Sequence, residues 1–229
     1  MKKIVITTLV FGLQLFAQDG NNLPAPVTST DHVNFAPGGL IRLNAPASNL
    51  FVEAWDRPEV EITTIKSSQR AKCLDDVHVV TDRHSYTELA ISTTVPSRSF
   101  FARLFGRTCS TKVEQHIQAP RDSKLVIQHG AGFLMVSRIS GEIEATSRSG
   151  DIVLMLPDPG PYSIDAKSKF GSVTSDFAGT AHREKLIGEQ FATASASPSR
   201  KIHLRIGFGG IAIKEVPSTP VAPMPAAGQ

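Results

Sequence analysis

The chain has 229 residues, 41% of them hydrophobic and 20% charged, which is enough for one packed domain with flanks and excludes wholesale disorder. Its 24 Lys and Arg against 21 Asp and Glu give a formal charge of +3, and two of the basic residues, Lys2 and Lys3, stand at the very start. A balance so near neutral leaves no electrostatic footprint for nucleic acid, while 17 Gly and 15 Pro beside a single Trp indicate many turns between short strands.

Residues 1–17 have the three parts of an export leader: the basic pair Lys2 and Lys3, an apolar run from Ile4 to Phe16, and the small residue Ala17. The run falls short of the roughly 20 residues that a spanning helix needs. The expectation is a signal peptide cleaved after Ala17 and a protein exported to the periplasm, the cell surface or the medium. Residues 18–37, rich in Asn, Pro, Thr and Asp, read as a linker. Residues 217–229, rich in Pro and Ala and without charge, read as a disordered tail. One domain is expected between them, over residues 38–216.

Within that domain the hydrophobic period is two. Leu50, Val52 and Ala54 alternate with Phe51, Glu53 and Trp55, and Val60 and Ile62 alternate with Glu59 and Glu61. The pattern returns at Leu89 and Ile91, Val113 to Ile117, Leu125 and Ile127, and Ile202, Leu204 and Ile206. These are strands with one face buried, and no helical period competes with them. Gly132, Gly150, Gly171 and Gly210 each stand just before a short strand, and Asn49 opens an earlier copy. Gly and Asn tolerate positive φ, so each is expected to turn the chain sharply into its strand. Recurrence at about 20 residues predicts an all-β fold of stacked short-strand repeats, β-solenoid-like, with a β-sandwich as the alternative.

Export would place the only two cysteines, Cys73 and Cys109, in an oxidising compartment that favours joining them. Such a bridge would stabilise the fold by about 4 kcal/mol in the chain-entropy model.

The series from Val113 to Pro120, Ser123 to Ile127, Ile139 to Ile143, Ser149 to Leu154, Lys169 to Phe177 and Gly210 to Ile213 resembles the bacterial putative-adhesin domain family. Asn49 to Ile62 resembles that family's first strand pair, and the likeness spans about residues 38–216. The resemblance implies an exported β-strand repeat domain whose biochemical role is unsettled. It brings no catalytic residues. Ser97–Thr108 and Thr180–Arg200 depart from the repeat and are where an individual function would lie.

Chemistry is sparse. His78 and His84 lie near Asp75, Asp76 and Asp82, and His116, His129 and His203 lie on or beside other strands, but their spacing matches no metal motif. GxSxG, HExxH and a phosphate loop are all absent. Glu144, Asp151, Asp165 and Asp176 fall on polar strand phases and are the carboxylates that a carbohydrate-cleaving β-helix enzyme would have to pair. One segment mixes bases with aromatics: Arg98, Phe100, Phe101, Arg103, Leu104, Phe105 and Arg107. It would either cap one end of the β-stack or contact a partner or an anionic surface. The expected function is non-enzymatic: an exported adhesin-like protein that binds an envelope or extracellular ligand (protein, glycan or lipid surface), without cofactor, metal or nucleic acid and in an unassigned oligomeric state. A cell-envelope sensor or scaffold is the second reading, and a carbohydrate-active enzyme the third.

Overall fold

The computed structural model describes residues 24–75, 77–94, 111–158, 161–184, 188–193 and 200–217. In chain order the strands are β1 (Val27–Asn34), β2 (Leu40–Ala45), β3 (Asn49–Trp55) and β4 (Glu59–Ser68), then, after a single 3-10 turn at Ala71–Cys73, β5 (His78–Arg83), β6 (Glu88–Thr94) and β7 (Thr111–Pro120). The two longest follow, β8 (Lys124–Ser137) and β9 (Ile143–Asp158), and then β10 (Tyr162–Phe170) and β11 (Val173–Ser175). β12 (Thr180–Glu184), β13 (Gly188–Ala192), β14 (Arg200–Phe208) and β15 (Ile211–Pro217) complete the described chain. The fold is all-β, and these strands join in one hydrogen-bonded sheet.

Its centre is the parallel pair β8 and β9, in register from Leu125 opposite Ile143 to Ser137 opposite Met155. The front half of β8 takes β2 as its other neighbour and the back half takes β3. The front half of β9 likewise takes β14, and its back half β15. β10 then lies on β14, β11 on β15, β6 on β2 and β7 on β3, all parallel. The chain therefore forms rungs that run from a front half to a back half, in the spatial order β6/β7, β2/β3, β8, β9, β14/β15, β10/β11. This order is not the chain order, because β14/β15 enters between β9 and β10/β11. Antiparallel strands close the stack: β5 on β6, β4 and then β1 on β7, and β13 and then β12 on β10.

Side-chain phase explains why the rungs from β2/β3 to β10/β11 break in the middle. Leu125 and Ile127 are buried in the front half of β8, but Leu134 and Val136 in its back half; in β9 the pairs are Ile143 and Ala145, then Ile152 and Leu154. Residue parity inverts between the halves, so the chain must turn a corner to aim both sets at one interior. Both sets belong to a single aliphatic cluster. Burial of each Leu or Ile contributes about 1.5–3 kcal/mol, so the corner governs most of the core energy.

The corner is a column of glycines. Gly132, Gly150, Gly209 and Gly171, taken in rung order, all have positive φ, with 116° at Gly150 and 127° at Gly209. A Cβ on Gly150 would lie 1.8 Å from the carbonyl oxygen of Gly132, and one on Gly209 would lie 1.6 Å from that of Gly150. Each rung thus rests its backbone on the space where the next rung lacks a side chain. The last repeat's turn belongs to Gly209, not to Gly210, whose amide instead donates to Asp151 Oδ1 at 2.9 Å. Asn49 acts differently from a turn glycine too: it lies outside the positive-φ set, and its Oδ1 accepts the Phe133 amide at 3.1 Å.

The stretch 18–37 is not simply a linker, since β1 lies inside it and pairs with β4 from Val27 opposite Lys66 to Asn34 opposite Glu59. Every β1 side chain except that of Val33 is exposed, so the strand carries no buried alternation to betray it. At the same end Cys73, Leu74 and Val77 are buried outside the main cluster. Lys66 Nζ donates to the Val77 carbonyl at 2.5 Å, and Thr111 Oγ1 donates to the Cys73 carbonyl at 3.0 Å, tying this turn to the sheet.

Gly150→Ala should destabilise the protein by at least about 2 kcal/mol, because strain at positive φ adds to collision with a backbone oxygen that cannot move alone. Gly38→Ala should cost only about 1 kcal/mol, since Gly38 shares the positive φ but a Cβ there meets nothing within 4 Å. Denaturant unfolding of both variants measures the difference, and equal losses would remove the steric part of the argument.

Candidate functional site: the outward sheet faces

Hydrophobic side chains dominate the interior, with Thr93, Gln115 and His129 also buried, and most of the other polar side chains lie on the outward faces and at the corner. On the front face, parallel register sets Glu144, His203 and Asp165 in one row across β9, β14 and β10. Asp165 is the best-held of them. Arg205 Nη2 pairs with its Oδ2, Gln190 Nε2 donates to its Oδ1 at 3.0 Å, and His203 Nδ1 lies 3.4 Å from Oδ2. Burial by itself would raise the Asp165 pKa, but the hydrogen bond and charge of Arg205, helped by Gln190 and His203, outweigh it and hold the carboxyl below its usual range. A carboxylate kept ionised in this way lacks the proton that a general acid must donate.

Of the other candidate carboxylates, Glu144 shares the row of Asp165. Glu144 stands two strands from Asp165, roughly 9–10 Å by strand spacing, with His203 between them. Asp151 and Asp176 lie on the back half, where Asp151 holds the Gly210 amide and Asp176 Oδ1 meets Lys214 Nζ at 3.1 Å. The four candidates are spread over both halves and do not flank one cleft.

The back face carries aromatics. Phe51 stacks on His116 of the neighbouring β7, with ring centroids 4.7 Å apart and planes 10° apart, and Phe133 tilts against Phe51 at 5.8 Å. Glu114 Oε1 contacts His116 Nε2 at 2.7 Å. Met135 and Val153 continue the row through β8 and β9, half-buried like Phe51. At the corner a second pair, Phe170 and Phe208, stacks at 4.7 Å and 10°.

The histidines are dispersed. His32 lies near Glu59 and Glu61, His84 near Asp82, His116 on Phe51 and His203 on Asp165, and among the described residues no three His, Cys, Asp or Glu side chains are placed to hold a metal ion together. His129 stands apart because it is buried, at 5% exposure. Its Nε2 meets the Ser48 carbonyl at 2.8 Å and its Nδ1 meets Ser147 Oγ at 3.0 Å, which links three rungs behind the glycine corner. The signal was available in sequence: His129 continues the buried phase of Leu125 and Ile127.

Cys73 is buried at 1% exposure and is not a free thiol. Cys109 lies outside the described residues, as do Arg98, Phe100, Phe101, Arg103, Leu104, Phe105 and Arg107. The region from Thr180, read as a departure from the repeat, supplies β12 and β13 and ends the stack, with Phe191 buried and Phe177 edge-on to Tyr162 at 5.7 Å. Among the described residues no helix is long and apolar enough to cross a membrane.

No protein-family profile and no curated protein sequence matches the chain. Solved structures do match. A protein described as a putative cell adhesion protein, from Clostridium sporogenes, superposes with a TM-score of 0.50 at 15% identity, over 84% of this chain and 100% of its own. This chain has that fold. Proteins described as putative adhesins, from Parabacteroides distasonis and Bacteroides fragilis, align less closely, with TM-scores of 0.33 and 0.34 at 11% and 9% identity. They cover 82% and 84% of this chain and 65% and 99% of their own.

Burial pushes the His129 pKa down from its ordinary 6.5, against a smaller opposing pull from the Ser48 carbonyl. The unfolded chain therefore takes up this proton first. Its contribution to stability is fully present above about pH 6.5 and falls as the pH drops toward the folded-state value. Unfolding free energies measured between pH 7.5 and pH 5 should decline for the wild type. His129→Asn should be less stable at neutral pH, by about 1–3 kcal/mol, with a shallower acid decline. Identical acid slopes would show that His129 is not the group responsible.

Proposed function

We propose that this chain is an exported, non-enzymatic binding protein of adhesin-like type, presented in or beyond the cell envelope. The observation that carries the reading is the sheet itself: one hydrophobic core dominates the interior, and the rungs display ordered rows of side chains on both outward faces. Rows of aromatic, cationic and carboxylate groups at strand spacing suit the recognition of an extended ligand, whereas the four candidate carboxylates are spread over both halves of the sheet. The leader-like residues 1–17 and the fold shared with a protein described as a cell adhesion protein support the same reading.

Part of the proposal is a Cys73–Cys109 bridge. Thr111 lies two residues beyond Cys109, a reach of at most about 7 Å, and its hydroxyl already donates to the Cys73 carbonyl. The bridge would tie the start of β7 to the 3-10 turn and tether the Phe- and Arg-rich segment that precedes Cys109. Denatured but unreduced protein exposed to an alkylating reagent should take up none, and denatured, reduced protein should be alkylated at both cysteines. Alkylation without reduction would remove the bridge.

The binding reading is tested on purified protein with immobilised glycans, envelope proteins and vesicles. Saturable binding without turnover is expected. Cleavage of a polysaccharide by the wild type that is lost in Glu144→Gln or Asp165→Asn would contradict it and favour an enzyme.

A further inference from the structure

The Phe170–Phe208 pair at the corner is an unfinished aromatic ladder. Phe170 and Phe208 are direct register partners on β10 and β14, and their centroid separation of 4.7 Å matches the spacing of adjacent strands. The rings therefore stand side by side, one per strand, with their planes across the direction in which the strands are stacked. Lys169 Nζ lies 5.5 Å from the Phe170 centroid, so the Phe170 end of the ladder carries a cation. At the other end the next register positions are Ser149 on β9 and Ala131 on β8. Neither side chain is tall enough to continue the stack. The outer face of Phe208 thus stands over a shelf about two strands wide, roughly 9–10 Å, and the residue is 57% exposed.

Polar residues adjoin Ser149 in sequence. Arg148, immediately before Ser149, is exposed and makes no ion pair among the described residues. Asp151, two residues beyond Ser149, has Oδ1 on the Gly210 amide and retains acceptor capacity for a hydroxyl. This seat, a flat π-face, thus has one exposed cation and one hydroxyl acceptor among the residues that adjoin Ser149 in sequence.

We infer that this seat binds one sugar ring of an acidic glycan, a uronate or sulfated saccharide, with the C–H face of the ring stacked on Phe208 and its anionic group on Arg148; the inference rests on the binding reading above. The electron-rich face of Phe208 attracts the weakly positive C–H hydrogens of a pyranose, the Asp151 carboxylate accepts a ring hydroxyl, and the space admits a ring where the described residues place none. A lipid surface fits less well. Membrane attachment scales with buried apolar area, and among the described residues the other exposed large apolar side chains, Val27, Val80 and Tyr86, belong to β1, β5 and the turn after β5 at the opposite end of the stack. Single-stranded nucleic acid also stacks on aromatics, but it needs a continuous basic track. Here the adjoining front row carries Glu144 and Asp165, and the whole chain is close to neutral.

Calorimetric titration of the purified protein tests this with a uronic-acid tetrasaccharide, an uncharged tetrasaccharide, phosphatidylglycerol–phosphatidylcholine vesicles and an oligothymidylate. The uronate should bind the wild type. Phe208→Ala should raise its Kd by about tenfold or more. Ser149→Phe should abolish binding by seating the protein's own ring in the gap while the fold persists. Arg148→Ala should weaken the uronate and leave any weak binding of the uncharged sugar unchanged. Circular dichroism confirms folding of each variant. Uronate binding that is indifferent to Phe208→Ala and Ser149→Phe would overturn this site and leave the general binding reading intact. Vesicles or oligothymidylate bound through these residues in place of sugar would overturn the ligand class. Absence of binding by all four probes would also overturn the site, and the broader panel would then decide the general reading separately.

Discussion

The close approach of backbone to backbone at the glycine corner is the constraint on which the rest depends. A rung whose apolar side chains must face one core on both sides of a bend has to invert its alternation at the bend. A neighbour only one strand spacing away leaves no room for a side chain there. The contact of 1.8 Å that a Cβ on Gly150 would make with the Gly132 oxygen expresses that limit, and so do those at Gly132, Gly209 and Gly171. Because each corner rests on the one before, the corners form a straight column and keep the rungs in parallel register. Register in turn sets Ile143 beside Leu125 and Ile152 beside Leu134 inside, and Phe208 beside Phe170 outside.

The surface follows from the same register. In a parallel stack, residues at equal heights form rows, so short motifs far apart in sequence become neighbours at strand spacing. The Phe51–His116 and Phe170–Phe208 stacks have the same geometry, 4.7 Å and 10°, on different parts of the sheet, because both are consequences of one spacing. The Asp165–Arg205 pair arises in the same way across β10 and β14. A scaffold of this kind serves recognition of extended ligands readily, and it brings acid–base pairs together only where two rows confront each other across a cleft.

Much of the fold was legible in the sequence because local patterning carried it. The alternation at Leu125 and Ile127 and the glycines at 132, 150 and 171 marked strands and corners without any long-range information. What was not legible depended on pairing. No periodicity tells that β14/β15 enters between β9 and β10/β11, so the meeting of Phe208 with Phe170, or of Arg205 with Asp165, had no sequence signal. Adjacent glycines at 209 and 210 offer the turn equally, and only the contact with the Gly150 carbonyl selects Gly209. β1 escaped notice because an edge strand exposed on both sides has no apolar face to show, and its pairing with β4 lies in backbone hydrogen bonds and polar cross-strand contacts such as Thr30 with Thr63 and His32 with Glu61.

Amide hydrogen exchange compared between the wild type and Gly150→Ala tests the central claim most directly. If the corner column holds the two halves of every rung in register, protection should fall together in the front and back halves of β8, β9, β14 and β15, far from the substituted residue. A loss confined to the residues around 150, with Leu125–Ile127 and Ile211–Ile213 as protected as before, would contradict the account.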